Sequence, residues 1–149
     1  MSEKTKTIPI ASDHAAFELK SFLISRLKEA GIDVIDMGTH NSDSVDYPDF
    51  IHPLAKAVND GVYERGIIMC GSGNGAQITA NKYPEVRAGL CWNLEQAELT
   101  RAHNNANIIS LPGRFVELEK AWEIVQTFLN TEFEGGRHMR RVEKISQTL

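Results

Sequence analysis

Residues 67–82 admit few backbones. They read Ile-Ile-Met-Cys, then Gly-Ser-Gly-Asn-Gly, then Ala-Gln-Ile-Thr-Ala-Asn-Lys. Ile67, Ile68 and Met69 lead into Cys70 as a buried strand. Gly71, Gly73 and Gly75 then form a tight turn, and Ala76, Ile78, Thr79 and Ala80 read as a short helix. Such a turn leaves several N–H groups unpaired and aimed at one point, where an anion can sit. Cys70 stands at the joint. A thiol in that place is either an ordinary buried apolar residue or a usable thiolate, depending on its surroundings. The combination points to abstraction of a proton from carbon, with the resulting oxyanion held by the turn.

The rest of the chain repeats the strand–helix alternation. Residues 7–11 read as a first strand, with Pro9 tolerable only near a strand end or an edge. Ser12 or Asp13 caps a helix that runs to about Ala30, with Leu19, Phe22, Leu23 and Leu27 as its apolar stripe and Gly31 as its stop. Residues 33–37 make a second strand and 38–48 a polar, turn-rich functional loop. A helix follows over 49–60, with Pro53 in its first turn. Strands at 66–70, 87–92 and 108–111 alternate with helices at about 76–82, 94–104 and 118–129. Gly135 and Gly136 break the chain before a last helix at 137–147. Five such alternations predict a Rossmann-like α/β fold, a three-layer αβα sandwich. Its five-stranded parallel sheet has helices on both faces and a C-terminal helix beyond. Length predicts one domain over residues 1–149. In such folds ligands bind at the carboxyl ends of strands. Ser12-Asp13-His14, the run from Cys70 to Gly75 and the Pro112-Gly113-Arg114 turn all fall there.

Composition narrows the function. The chain is 42% apolar and 24% charged, with a net charge of −4, so no bulk charge calls for nucleic acid. The first ten residues mix Glu3 with Lys4 and Lys6 and do not read as a signal peptide. No run approaches the roughly 20 apolar residues that span a bilayer. Two cysteines do not make a disulfide framework, which fits a reduced, cytoplasmic setting. Cys91, between Leu90 and Trp92, reads as core.

Other readings of the same residues compete. Gly71 to Ala76 fits the loose dinucleotide pattern G-x-G-x-x-G/A, with Glu95 roughly twenty residues on. That acid falls in a helix, and the loop follows the third strand and not the first. Ser72 is not in a G-x-S-x-G elbow. The five histidines show no metal-binding spacing. His103, in Arg-Ala-His-Asn-Asn, either complements a helix dipole or takes part in chemistry beside Asn104 and Asn105. Arg137-His138-Met139-Arg140-Arg141 is either a solvated basic face or a phosphate site, with Arg137 and Arg141 on one helical face and Arg114 able to join them.

Taken together, Ser12-Asp13-His14, Asp46-Tyr47-Pro48, the run from Cys70 to Gly75 with Ala80-Asn81-Lys82, His103-Asn104-Asn105, and Gly135-Gly136-Arg137-His138 with Arg141 resemble the ribose-5-phosphate isomerase B family. That family also includes the galactose-6-phosphate isomerase subunits. The resemblance runs from about Ile8 to Ile145. It implies aldose–ketose isomerisation through an enediolate, with Cys70 as the base between C1 and C2. It implies that Ser72 and the N–H groups of Gly71, Ser72, Gly73, Asn74 and Gly75 hold the enediolate oxygens, and that His103 is the acid that opens the sugar ring. Asp13 would contact ring or hydroxyl oxygens, and Tyr47 and Asn104 would line the pocket. His14, Arg114, Arg137 and Arg141 match phosphate-contacting positions, and His138 joins the binding set.

The resemblance further implies a homodimer or homotetramer with pockets built from two chains, and no metal or organic cofactor. Where some relatives carry glutamate this chain has Ala76, so the base must be Cys70. Ribose 5-phosphate is the default substrate; allose 6-phosphate, galactose 6-phosphate or a four-carbon sugar phosphate are the alternatives. A non-catalytic sugar-phosphate sensor and a nucleotide-binding protein are the competing classes.

Overall fold

The computed structural model describes residues 6–147. The reading of the first ten residues as free of a leader rests partly on residues 1–5, which lie outside the described residues. Five strands, β1 (Ile8–Ser12), β2 (Val34–Asp36), β3 (Gly66–Cys70), β4 (Ala88–Leu90) and β5 (Ile108–Pro112), form one parallel sheet in the order β2-β1-β3-β5-β4. Six helices surround it: α1 (Phe17–Glu29), α2 (Tyr47–Asn59), α3 (Asn74–Ala80), α4 (Leu94–Ala102), α5 (Leu118–Asn130) and α6 (Arg137–Ile145). Among the described residues no helix is long and apolar enough to cross a membrane.

The layers follow from side-chain alternation on strands that are buried on both faces. Ile8 and Ile10 of β1, Ile67 and Met69 of β3, and Ile109 and Leu111 of β5 pack with α1, α4 and α5. Ala11, Ile68, Cys70 and Ile108 point the other way and pack with α2 and α3. The result is the expected three-layer sandwich. α6 stands apart, with none of its side chains buried.

Several boundaries differ from the sequence reading. β2 and β4 are three residues each, shorter than the 33–37 and 87–92 runs, although Met37 and Cys91 beyond their ends still donate to the Ile10 and Ser110 carbonyls. α2 begins at Tyr47 and not at 49, since Pro48 suits the first turn, where its missing N–H costs nothing. The loop before it is correspondingly shorter, and Pro53 falls inside the helix. There it forfeits the bond to the carbonyl four residues back. Asp13, not Ser12, is the cap: its Oδ1 accepts the Ala16 N–H at 3.3 Å, opening a 3-10 turn (His14–Ala16) ahead of α1. Pro9 sits within β1, an interior strand. The N–H groups of Ile8 and Ser12 point to the β2 side, at Asp33 and Gly38. By alternation the Pro9 nitrogen faces β3, where pairing begins only at Ile10 opposite Ile67.

One buried ion pair ties α1 to the end of β2. Lys20 is fully buried and its Nζ donates to Asp36 Oδ1 at 2.6 Å. Burial alone would raise the Asp36 carboxyl, but the Lys20 bond and the Gly38 N–H at 2.9 Å outweigh it and lower it. The same network continues into the site, because Ser12 donates to the Gly38 carbonyl and Thr39 to the Ser12 carbonyl, both at 2.8 Å.

Asymmetry in exposure predicts asymmetry in the two deletions. Lys20→Met removes a buried charge and leaves Asp36 partly hydrated, so it is expected to cost about 1 kcal/mol. Asp36→Ala strands an ammonium in the core and is expected to cost about 3 kcal/mol, measured by urea unfolding at neutral pH. Because the Asp36 carboxyl is lowered on folding, its contribution is full above the ordinary value of 3.8 and fades as pH falls through the lowered one. Asp36→Asn should therefore flatten the acid limb of the stability profile.

Candidate active site

In the strand order β2-β1-β3-β5-β4 the chain adds β2 on one side of β1 and β3 on the other. The crevice for a ligand opens at that reversal, between the carboxyl ends of β1 and β3. Asp13 and His14 leave β1 there, and Cys70 ends β3 there.

Cys70 is 4% exposed and shares a cluster with Ile51 and Leu54 of α2 and Ala76 of α3, so its sulfur lies on the α3 side of the sheet. Beyond it, Gly73 turns the chain at φ +78°, where a Cβ would stand 2.5 Å from Leu90 and 3.0 Å from the Leu111 backbone. The Gly73 carbonyl is tied down by the buried Ser110 hydroxyl at 2.7 Å. Ser72 Oγ accepts the Asn74 N–H at 3.3 Å. Among the described residues no group accepts from the N–H groups of Ser72, Gly73 and Gly75, so three donors stand open beside the thiol. Tyr47, at the start of α2, lies against Gly75, its Cζ 2.5 Å from where a Cβ would be. Arg114 crosses Gly71 in the same way, Nη1 at 3.1 Å, and its N–H donates to the Gly71 carbonyl at 2.9 Å. His14 Nδ1 accepts the Val45 N–H at 3.0 Å, so the neutral ring carries its proton on Nε2, as a donor. A cavity of about 440 Å³ adjoins the loop, lined by Ser72, Asn74, Leu90, Trp92, Pro112 and Phe115.

The remaining sequence candidates gather elsewhere. His103 caps α4, donating its N–H to Leu99 at 2.9 Å, and helices in such a sheet run opposite to the strands. The loop after it delivers Asn107 to the start of β3, where its carbonyl accepts the Gly66 N–H at 2.9 Å. His103 and Asn104 therefore lie at the amino end of the sheet, and Cys70 at the carboxyl end. The five residues of β3 alone span about 13 Å at roughly 3.3 Å per residue. The C-terminal segment joins the amino-end group. The Glu134 N–H donates to the Ala102 carbonyl at 3.0 Å, and the His138 ring stacks on His103 with centroids 4.2 Å apart. Arg137 and Arg141 follow on α6. Burial, then His103 and Arg137, hold His138 below the usual histidine range. Asn104 also borders a cavity of about 660 Å³ on the edge of β4 between α3, α4 and α6; neither Cys70 nor the glycine turn reaches it.

The structure thus brings Asp13, His14, Tyr47, Cys70, the turn from Gly71 to Gly75 and Arg114 together, and it brings His103, Asn104, Arg137, His138 and Arg141 together. Within one chain it does not bring the two groups to each other. Cys91 is core, as read: burial pushes its thiol up to about 12. Sequence reading missed Lys20 and Asp36, which brace the β1 end, and Glu134, whose carboxylate faces both stacked histidines. Only Glu134 left a signal, four residues before His138.

Residues 8–145 match the family model described as Ribose/Galactose Isomerase. Ribose-5-phosphate isomerase B of Escherichia coli is 42% identical, over 95% of each chain. A ribose 5-phosphate isomerase from Thermotoga maritima superposes with a TM-score of 0.93 at 48% identity, covering 95% of this chain and 98% of that one. Ribose-5-phosphate isomerase B from Mycoplasma genitalium, solved with bound ribulose-5-phosphate, superposes with a TM-score of 0.90 at 40% identity, covering 94% and 93%. The chain belongs to the ribose/galactose isomerase family, and it is an isomerase.

Two substitutions test the local physics of the turn. Gly73→Ala must hold a left-handed residue against the Leu111 backbone and is expected to cost about 2 kcal/mol or more. Ser12 Oγ is fully buried with no partner among the described residues. Ser12→Ala is therefore expected to be neutral or to stabilise by up to about 1 kcal/mol in the same urea titration.

Proposed function

We propose that this chain interconverts ribose 5-phosphate and ribulose 5-phosphate, with Cys70 as the base. The observation that carries the proposal is the thiol at the end of β3 beside three open N–H donors, at the strand-order reversal of an isomerase fold. Ribulose-5-phosphate bound to the Mycoplasma genitalium relative supports the choice of substrate.

A proton α to a carbonyl leaves slowly because the charge left on carbon is poorly stabilised. Moving that charge onto oxygen gives an enediolate. Donors already aimed at that oxygen stabilise it more than the ground-state carbonyl, which lowers the barrier. One such donor is typically worth about 3 kcal/mol. In this reading Ser72 and the amides from Gly71 to Gly75 hold the enediolate while Cys70 carries the proton between C2 and C1. C1 is reduced as C2 is oxidised within one molecule, so the reaction draws on no outside electron acceptor. The sugar enters as a ring, and His103 supplies the proton that opens it. Asp13 holds ring or hydroxyl oxygens, Tyr47 and Asn104 line the pocket, and His14, Arg114, Arg137, His138 and Arg141 take the phosphate end, whose binding positions C2 against the sulfur.

Cys70 and His103 lie at opposite ends of the sheet, so one chain cannot bring both to one sugar. We infer that two copies pair with the carboxyl end of one against the amino end of the other, forming two equivalent sites. The two free thiols suit a reducing, cytoplasmic setting.

Cys70→Ala is expected to lower turnover of ribose 5-phosphate by about a thousandfold, with binding of the sugar phosphate by calorimetry little changed; near-normal turnover would remove Cys70 as the base. Arg137→Ala with Arg141→Ala should raise KM by about tenfold or more. A panel of aldose phosphates assayed for ketose formation checks the substrate, and a larger kcat/KM for a six- or four-carbon phosphate would displace ribose.

A further inference from the structure

Glu134 contributes nothing to the core, with a side chain 60% exposed, yet its position is fixed. Oε1 stands 3.7 Å from Nε2 of His103 and 3.6 Å from Nε2 of His138. Main-chain bonds set this up: Glu134 is anchored to Ala102, the residue before His103, and the His138 N–H donates to Gly135 at 3.0 Å. The two rings lie 13° from parallel. That stacking keeps their nitrogen lone pairs in separate planes, so one tetrahedral metal ion cannot lie in both. Each ring instead turns its Nε2 edge to the Glu134 carboxylate.

The charges around the pair are few. Glu134 is the anion that faces it, from the segment before α6. Arg137 and Arg141 face it from α6 as cations. From α4, Arg101 is turned away, bonded to Thr131, Asn105 and Ala106. Two imidazolium rings at this separation would repel by about 4 kcal/mol at an effective dielectric near 20. Repulsion of that size disfavours charging both rings at once. Burial, then the neighbouring His103 and the two arginines, disfavour the charge on His138.

We propose that Glu134 is a positioning residue for ring opening, its carboxylate holding the single proton of the stacked pair on His103 and fixing that ring through its Nε2 edge. The proposal rests on the reading of His103 as the ring-opening acid. With Nε2–H turned to Glu134, Nδ1–H is the donor to the sugar. The ring oxygen takes that proton as the bond from C1 to the ring oxygen breaks. The C1 hydroxyl gives its proton to solvent as the carbonyl forms, and solvent then recharges the neutral His103.

The test uses the full chain with Glu134→Gln and Glu134→Asp, exposed positions where folding is not at stake. Histidine ring NMR follows protonation directly, and kcat/KM for ribose 5-phosphate is measured against pH. In Glu134→Gln the first protonation of the pair is expected to move to lower pH by about half to one unit, and the basic limb of the rate profile to move with it. Glu134→Asp should restore most of the shift, and high salt should shrink it. Unchanged ring titrations in Glu134→Gln would overturn the proposal. Rings that move while the rate limb stays fixed would instead overturn the role of His103 on which it rests.

Discussion

A parallel sheet covered on both faces has nowhere to put polar chemistry except its two ends. Strands β1, β3 and β5 are buried along their whole length, so their residues alternate between two hydrocarbon layers and unpaired backbone groups collect where the strands stop. The reversal of strand order at β1 and β3 widens that gap at one place. There the chain sets a glycine turn in which the Ser72, Gly73 and Gly75 N–H groups have no partner among the described residues, and a cysteine one residue before it. Lys20 and Asp36 brace the opposite wall by bonds that run through Gly38 to Ser12. The rigidity of the crevice thus depends on main-chain bonds more than on its exposed side chains.

The same geometry divides the functional groups. Helices return each crossover to the amino end of the sheet, and α4 carries His103 and Asn104 with it. The C-terminal segment docks on that end through a main-chain bond from Glu134 to Ala102, a stacked ring pair and the Ser146 hydroxyl, which donates to the Pro84 carbonyl. α6 then continues with no buried side chain, leaving Met139 and Ile145 exposed. An amphipathic helix that leaves Met139 and Ile145 exposed in its own chain is consistent with the proposed pairing of two copies, in which each chain lends its amino-end groups to the other's thiol.

Much of the fold could be read from residue order. Glycines 71, 73 and 75 could sit only at a turn, and strand–helix alternation dictated a parallel sheet. Boundaries were less legible where one residue type served two roles. Pro48 suits a loop as well as a first helical turn, and it moved the start of α2; Asp13 and Ser12 are both good caps, and only the 3-10 turn decides between them. Site residues near in sequence to a motif were found. Those acting at a distance were hidden, since nothing in the sequence joins Lys20 to Asp36, or Glu134 to a histidine thirty-one positions earlier. The separation of His103 from Cys70 was equally invisible, because it follows from helix direction and not from residue type.

Whether the thiol of one copy works with the histidine of another can be read in a single mixing experiment. Cys70→Ala and His103→Ala are each purified inactive, combined in equal amounts, exchanged through mild denaturant and assayed with ribose 5-phosphate. Hybrid dimers then hold one site with both residues intact, so activity should return to about a quarter of the wild-type level. A mixture that forms hybrids yet stays as inactive as its components would contradict a site shared between chains.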